Sequence, residues 1–339
     1  MKQKLYCVIF AVLAQPCFAT EQNFHQKINQ YAKKVITGAE KGVTSFIVIK
    51  NNQRLVSSYA PNYTNDTQHD LRSVTKSITA LLLGQAIQEQ LIADEQSAIK
   101  SLLPSTAVTT NPAIQNLSII DLLTMRTGLA CDDWVPSSLG NEDKMYLQNN
   151  WPKFFLALPT SHEKGKHFSY CTGAAIVIGH ILNNKLNGNL AQWADQRLFS
   201  KLNVTDYKWT KTPYGEIDTG GHLYMKAEDL AKFGQLVLNQ GRYNNQQVIA
   251  KSWIDKLFTA QTKVYERPYF YSYWWWLSSD NTANNRKQKP YLFAWGNGGQ
   301  YLFIIPEHKL VMVFTGTNFN SKEMLKPQRK VKEWLDNLK

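Results

Sequence analysis

The chain carries its β-rich runs at both ends and helical patterns between them. Near the N-terminus "GVTSFIVIK", "NNQ" and "RLVSSYA" predict a strand, a turn and a strand, preceded by a helix over 21–36. Helical spacing dominates from about Ser73 to Leu202, and "YSYWWWL", "QYLFIIP" and "KLVMVFTG" are then β-rich again. This order predicts an α+β, sandwich-like fold: one antiparallel sheet formed from both chain ends, flanked by helices, with a mainly helical region inserted.

These boundaries predict one domain over residues 20–339. Its sheet part covers about 20–72 and 220–339, and its helical part covers about 73–219. The helical part contains "NLSIIDLL", with a helix-start signal at Ser118, and the helices "TGAAIVIGHILNN" and "LAQWADQRLFSKL". A last helix is expected at about 326–338. A ligand pocket is expected between the two parts.

Residues 1–19 have the pattern of a secretory signal peptide. "MKQK" is positively charged, "LYCVIFAVLA" is apolar, and "QPCFAT" ends in small residues suited to cleavage after Ala19. The alternative is a hydrophobic N-terminal strand or helix. No other apolar run approaches ~18 residues. The sequence therefore predicts an exported protein, periplasmic or secreted, without stable membrane insertion.

The net charge of the chain is +12, and it falls to +10 when Lys2 and Lys4 leave with the signal peptide. Nucleic-acid binding is not predicted, because the lysines are scattered and no zinc-finger or helix-turn-helix spacing occurs. A basic anion-binding protein stays as a weak alternative. Cys131 and Cys171 are the cysteines that remain after cleavage. In an exported chain they predict one disulfide and no metal site, the alternative being two buried free thiols.

Three Ser-x-x-Lys segments are candidates for a nucleophile and its base: "SVTK" from Ser73, "SAIK" from Ser97 and "SHEK" from Ser161. Only Ser73 precedes a long apolar helical pattern, which places Lys76 on the same helix face. The N-terminus of a helix stabilises developing negative charge. We expect burial to lower the pKa of Lys76, because desolvation disfavours the charged amine, so that it can act as a base. The alternative is an N-cap serine with an exposed lysine.

Two further segments follow in order: "HFSYCTGAAIVIGHIL", with Tyr170 before an apolar helix, and "FAWGNGGQYLFIIPEHKLVMVFTG", with a glycine-rich turn before a strand. Together with "SVTK" and "LLTMRTGL" they resemble the serine hydrolases of the β-lactamase-related, penicillin-binding family, in particular its class C-like and esterase branches. The resemblance covers most of the chain after residue 20. It implies a covalent serine hydrolase that needs no cofactor.

The resemblance also implies roles for individual residues. Ser73 matches the nucleophile, Lys76 the activating lysine, and Tyr170 the tyrosine that relays a proton to the leaving group. "NGG", formed by Asn297, Gly298 and Gly299, matches the third motif of the family. The backbone N–H of Gln300 is expected to form the oxyanion hole with that of Ser73.

Two positions depart from the family pattern. Thr172 replaces an asparagine whose amide would bind the acyl side chain of a substrate, and Asn297 replaces a cationic residue that helps to hold a substrate carboxylate. Both changes disfavour β-lactam turnover. Trp295, Tyr301 and the "YWWW" run from Tyr273 to Trp276 are candidate walls of an apolar pocket, although sheet core explains at least half of them. No glutamate is assigned as a separate deacylating base.

The expected function is therefore two-step acyl transfer on an ester or amide of a small substrate. The alternatives are a class C-like β-lactamase or D-amino peptidase and, outside enzymes, an exported binding protein that retains a hydrolase fold. The oligomeric state is not predicted.

Overall fold

Strands from both ends of the chain form one antiparallel sheet of eight strands in the computed structural model, which describes residues 15–104, 111–265, 267–278, 290–336 and 338. The strands are β1 (Val43–Lys50), β2 (Gln53–Tyr59), β3 (Gln68–Asp70), β4 (Tyr207–Trp209), β5 (Leu223–Lys226), β6 (Arg242–Tyr243), β7 (Gln246–Gln247), β8 (Thr262–Lys263), β9 (Tyr269–Ser272), β10 (Trp275–Ser278), β11 (Leu292–Gly296), β12 (Gln300–Ile305) and β13 (Leu310–Gly316). The large sheet has the order β2-β1-β13-β12-β11-β10-β9-β8. The predicted α+β fold is thus confirmed.

Helices cover both faces of this sheet and form the region between its two parts. They are α1 (Gln15–Ile36), α2 (Val74–Gln88), α3 (Ile99–Leu102), α4 (Pro112–Gln115), α5 (Ile119–Leu123), α6 (Glu142–Tyr146), α7 (Trp151–Leu156), α8 (Thr172–Lys185), α9 (Leu190–Ala194), α10 (Ala227–Leu238), α11 (Lys251–Leu257) and α12 (Lys326–Asp336). A π-helical turn, Asp195–Phe199, and a 3-10 turn, Ser200–Leu202, extend α9, so the helix predicted for "LAQWADQRLFSKL" changes its winding twice.

The two faces of the large sheet are packed by different helices. On one face Tyr31 of α1 and Trp334 of α12 contact each other and the paired strand residues Phe46 and Phe314. On the other face α10 packs on β12 and β13 and approaches them closely at Gly234. Burial of these aromatic and aliphatic side chains is the main stabilising contribution that joins the chain ends.

Helices α2 and α8 are the buried centre of the helical region. Every residue of α2 from Val74 to Ala86 is buried, as is every residue of α8 from Thr172 to Leu182. A helix that is apolar on all sides is typical of a protein interior. Helix α2 is therefore held in a fixed position, in contact with the interior strands β11 and β12 of the large sheet.

The hairpin β1–β2 and the capping box of Ser118 confirm two local predictions. The run "YSYWWWL", by contrast, is not one strand. It turns back at Tyr273 and Trp274, both with positive φ (48° and 64°), which joins β9 to β10 as a two-residue hairpin. Tertiary contacts hold this turn, because the Trp274 indole N–H donates to Leu122 O (2.9 Å) and Ser77 Oγ donates to Trp274 O (2.7 Å). The short sheet β3-β5-β4 was not predicted.

The predicted signal peptide lies largely outside the described residues, and the described part of the chain begins within α1 at Gln15. Among the described residues no helix combines the length and the apolar character needed to cross a bilayer.

Candidate active site

The segment "SVTK" brings its serine and lysine together at the start of α2. Ser73 is the residue before the first helical residue, and Lys76 follows one turn later, with its side chain fully buried. Lys76 Nζ donates hydrogen bonds to Ser73 Oγ (3.0 Å) and to Gly220 O (2.8 Å). The alternative of an exposed lysine is therefore wrong, and the pair has the geometry of an activated nucleophile.

The other two Ser-x-x-Lys segments make different contacts. Ser97 Oγ donates to Asp94 Oδ1 (3.1 Å), which is a local turn contact. Lys164 Nζ donates to Asn116 O (2.9 Å), away from Ser161. Among the hydrogen bonds of the described residues, none joins either serine to the lysine three positions after it. Context thus separates Ser73 from its rivals.

The pKa shift of Lys76 differs from the sequence-based expectation. Desolvation by burial does lower the pKa of Lys76, as expected. However, the negative charges of Tyr170 (as phenolate), Glu142, Asp133 and Asp218 more than offset it, and the net shift is upward. The direction of this shift favours the ammonium form of Lys76. The expected direction of the pKa shift was wrong, because the surrounding acids could not be placed from the sequence, and the role of Lys76 as a base stays a prediction.

Tyr170 lies beside this ammonium. The side chain is buried, and Lys76 Nζ is 5.3 Å from the centre of its ring. Burial raises the pKa of Tyr170, whereas the positive charge of Lys76 and a hydrogen bond with Ser73 lower it, and the net shift is upward. Ser73, Lys76 and Tyr170 therefore converge as the motifs predict, with Tyr170 a neutral phenol at rest.

Two acids that the sequence analysis did not identify lie beside these residues. Asp133 Oδ2 accepts from Thr172 N (2.6 Å), and Asp133 Oδ2 and Glu142 Oε2 are each 2.8 Å from Thr172 Oγ1. Burial and the neighbouring charge of Glu142 raise the pKa of Asp133 to about 7. Thr172 itself is fully buried, with its hydroxyl on these two carboxyl groups. The only sequence signal for Asp133 was its position two residues after Cys131.

The glycine-rich turn joins β11 to β12 beside the nucleophile. Gly298 and Gly299 have φ values of 91° and 94°, a region that favours glycine. The Asn297 side chain donates to Asn320 Oδ1 (2.7 Å) and accepts from Asn320 N (2.8 Å), so both of its polar atoms are engaged. The Gln300 side chain is tied to the backbone of Gly316, which leaves the Gln300 backbone as its candidate contribution to the site.

Gly296, which the sequence analysis did not single out, sets the approach of this turn to Ser73. A Cβ atom at Gly296 would lie 2.4 Å from Leu71 O and 3.1 Å from Arg72 Cβ. A backbone oxygen cannot move aside as the end of a side chain can. The end of β11 therefore packs directly on the segment that leads into Ser73, and only glycine permits this distance.

Two cavities meet at Ser73, with Asp133, Glu142, Asn297 and Asn320 lining both. The first, the aromatic cavity, has a volume of about 180 Å³ and is lined additionally by Trp134, Tyr170, Trp276, Trp295 and Met324. The second, the polar cavity, has a volume of about 260 Å³ and is lined additionally by Arg72, Asp143, Tyr146, Gly220, Gly221, His222 and Phe319. A larger open cavity of about 590 Å³ near Tyr243 is lined by no serine, cysteine or lysine.

Stacked rings form the wall of the aromatic cavity. Trp134 stacks on Tyr170 with ring centres 5.3 Å apart and planes 3° apart, and Trp276 lies 5.6 Å from Trp295. Trp295 thus lines the cavity at the predicted place. Of the "YWWW" run only Trp276 reaches it, and the other three rings are buried in the turn and the sheet. Tyr301 is also buried in the sheet, in β12, and does not line the cavity. Trp134 was not foreseen, since its loop has no regular periodicity.

A disulfide joins Cys131 to Cys171, with Cα atoms 5.5 Å apart, as predicted. Cys171 directly follows Tyr170, and Asp133 N donates to Tyr170 O (2.8 Å). The bond and this hydrogen bond therefore fix the loop of Trp134 against the segment of Tyr170.

Removing the disulfide is expected to destabilise the fold. The Cys131→Ser, Cys171→Ser double variant should lose ~4 kcal/mol in free energy of unfolding on the chain-entropy model, because a loop of forty residues is no longer closed. Urea unfolding measures this change. Intact-mass analysis of the wild-type protein after alkylation should show no added groups without reductant, and two after reduction in denaturant. Two groups added before reduction would contradict the disulfide.

The family model described as Beta-lactamase matches residues 26–332. The 6-aminohexanoate-dimer hydrolase of Paenarthrobacter ureafaciens is 22% identical over 231 residues, which are 65% of this chain and 58% of that protein. The chain thus spans less than two thirds of that relative.

Solved structures share the fold. A penicillin binding protein from Bacillus halodurans superposes with a TM-score of 0.68 at 15% identity, covering 91% of this chain and 99% of that one. EstCE1, a hydrolase with promiscuous acyltransferase activity, superposes with a TM-score of 0.69 at 13% identity, covering 94% and 98%.

Proposed function

Because this chain belongs to the beta-lactamase family, we propose that it is a serine hydrolase that cleaves an ester or amide bond of a small substrate through an acyl-enzyme on Ser73. One observation carries the proposal. Lys76 Nζ lies 3.0 Å from Ser73 Oγ at the N-terminus of a buried helix, where two cavities meet.

Acylation starts with attack of Ser73 Oγ on the substrate carbonyl carbon. Tyr170 first releases its phenolic proton to solvent, and the Lys76 ammonium stabilises the phenolate that forms. The Ser73 proton then moves to this phenolate, and Tyr170 donates it to the leaving alcohol or amine. The bond from the carbonyl carbon to the leaving group breaks. The negative charge on the carbonyl oxygen is held by the backbone N–H groups of Ser73 and Gln300.

Deacylation reverses these roles. Water attacks the acyl carbon and gives its proton to the Tyr170–Lys76 pair, the bond to Ser73 Oγ breaks, and the proton returns to Ser73. This order follows from microscopic reversibility, because the group that donates to the leaving group accepts from the incoming water.

The names of similar proteins support amide and ester substrates. One relative is a 6-aminohexanoate-dimer hydrolase, and EstCE1 is a hydrolase with acyltransferase activity. Contacts at the site support them over β-lactams. The Thr172 hydroxyl is occupied by Asp133 and Glu142, and the Asn297 amide is occupied by Asn320. Both side chains are thus already engaged within the protein, which disfavours their use in holding the polar groups of a β-lactam. A class C-like β-lactamase or D-amino peptidase is the second candidate.

Short p-nitrophenyl esters are expected to be hydrolysed with a kcat/KM at least ~10-fold above that for nitrocefin or benzylpenicillin. The reason is that the uncharged Asn297 stands where the family has a lysine or histidine that helps to hold a substrate carboxylate. Asn297→Lys should narrow this gap. Steady-state kinetics on both substrate classes measure it, with the exposed Asn65→Lys as the control for added charge. Faster β-lactam turnover by the wild type would favour the second candidate.

Export is part of the proposal. The disulfide and the charge, apolar run and small residues of 1–19 support a protein that is secreted or enters the periplasm after cleavage near Ala19. The intact-mass measurement on the expressed protein also determines its N-terminus. A mass that includes residues 1–19 would contradict export by this route. An exported binding protein without turnover is the non-enzyme alternative.

A further inference from the structure

The Thr172 hydroxyl lies between two carboxyl groups but has only one proton to donate. Thr172 Oγ1 is 2.8 Å from Asp133 Oδ2 and 2.8 Å from Glu142 Oε2. A hydroxyl that donates to one oxygen can only accept from the other. One of the two carboxyls must therefore be protonated for both contacts to be hydrogen bonds. Two ionised groups here would leave one contact repulsive.

The other hydrogen bonds of Asp133 and Glu142 indicate which of the two carboxyl groups is better suited to carry the negative charge. Asp133 Oδ1 accepts from Glu142 N (3.0 Å), and Asp133 Oδ2 accepts from Thr172 N (2.6 Å). With the Thr172 hydroxyl donating to it as well, an ionised Asp133 accepts three bonds. Glu142 Oε2 then donates to Thr172 Oγ1. The raised pKa of Asp133 would instead place the proton on Asp133. Because the two acids interact strongly, we assign the proton to the pair and not to either residue.

We propose that Asp133 and Glu142 share one proton across Thr172 Oγ1, and that this acid pair controls the charge of the Lys76–Tyr170 couple. The pair lines both cavities at Ser73, and its charge acts on both members of that couple. Its role in turnover depends on the function proposed above. The sharing of the proton does not.

The groups that face the pair come from several elements. Lys76 of α2 is the positive one, Tyr146 of α6 donates its hydroxyl to Glu142 Oε2 (3.2 Å), and Asp218 precedes β5. Asp218 also accepts from His222 Nδ1 (2.7 Å). Arg72 and the exposed Asp143 line the rim of the polar cavity.

Loss of the shared proton adds a negative charge beside Lys76 and Tyr170. This charge makes both groups hold their protons more strongly. The fraction of enzyme that holds Tyr170 as a phenolate, and can therefore accept the Ser73 proton, stops rising with pH once the pair ionises. The pKa of Asp133 places this ionisation near pH 7. The acid pair thus limits activity on the alkaline side.

Glu142→Gln tests this role, because glutamine retains a donor to Thr172 Oγ1 but cannot ionise. We compare kcat/KM for p-nitrophenyl acetate between Glu142→Gln and wild type. The ratio of the variant to wild type should rise roughly tenfold from pH 6 to 8.5, because a change of one unit in the pKa of the proton acceptor changes its active fraction tenfold. Glu163→Gln makes the same change at an exposed residue that lines neither cavity, and its ratio should stay constant. A ratio for Glu142→Gln that does not change with pH would overturn the proposal, as would a uniform loss of activity at every pH.

A second measurement works without turnover. A carboxyl pair with a raised pKa binds a proton in the folded state that the unfolded chain has lost, so its contribution to stability is present at low pH and is lost as pH rises from about 4 to about 7. Urea unfolding should therefore show Glu142→Gln gaining stability relative to wild type across this window. A difference independent of pH would overturn the shared proton. If Ser73 also proved unreactive while this difference appeared, the proposed function would fail and the shared proton would stand.

Discussion

Replacing Ser73 with alanine is expected to abolish covalent labelling by a serine-reactive phosphonate and to lower ester hydrolysis by at least ~10⁴-fold. Lys76 and Tyr170 surround this one hydroxyl, and the variant removes the only atom of Ser73 that can form the acyl-enzyme. Little else should change, because Ser73 Oγ is not a helix cap. Peptide mapping of the labelled protein and steady-state kinetics on p-nitrophenyl acetate measure the two effects.

The chain offers its own control for this experiment. Ser97 stands in the same Ser-x-x-Lys spacing, but its hydroxyl is bound to Asp94 in a turn. Ser97→Ala should keep both labelling and turnover within about twofold of wild type, since surface changes away from a site cost little. Full labelling of Ser73→Ala, or label found on another serine, would exclude Ser73 as the nucleophile.

The fold was predictable because its signals are local and repeated. Alternating and continuous apolar runs predicted the strands at both ends, and the 3.6-residue spacing after Ser73 predicted the buried helix. The turn at Tyr273 and Trp274 was not predictable, because aromatic residues disfavour positive φ and tertiary contacts, among them those with Leu122 and Ser77, offset this cost. Such contacts join residues that are far apart in the chain, so the pattern of a single segment does not predict them.

The site was predictable only in part, for a similar reason. Ser73, Lys76 and Tyr170 carry motifs, whereas Asp133 and Glu142 come from a loop and a short helix without periodicity. The direction of the Lys76 pKa shift was wrongly expected because these two acids carry no sequence motif. Burial could be inferred from the apolar pattern of α2, but the acids that outweigh burial could not.

Removing the positive charge of Lys76 is expected to lower ester hydrolysis strongly. Lys76→Met keeps an unbranched, buried side chain but removes the ammonium and its bonds to Ser73 Oγ and Gly220 O. Tyr170 then faces the acid pair without a positive neighbour, so its pKa rises further and its phenolate becomes harder to form. We expect kcat/KM for p-nitrophenyl acetate to fall ~10²- to 10⁴-fold at pH 7, the range for a lost proton-transfer partner.

Lys76→Arg separates the two roles that a lysine could have here. An arginine keeps the positive charge but cannot lose a proton at the pH of the assay. If Lys76 acts as a fixed charge that stabilises the Tyr170 phenolate, Lys76→Arg should be at least ~10-fold more active than Lys76→Met, even though the larger guanidinium fits the buried site less well. Equal activities of the two variants would contradict the role of Lys76 as a fixed charge. The exposed Lys100→Met, from the "SAIK" segment, is the matched control and should leave kcat/KM unchanged within about twofold.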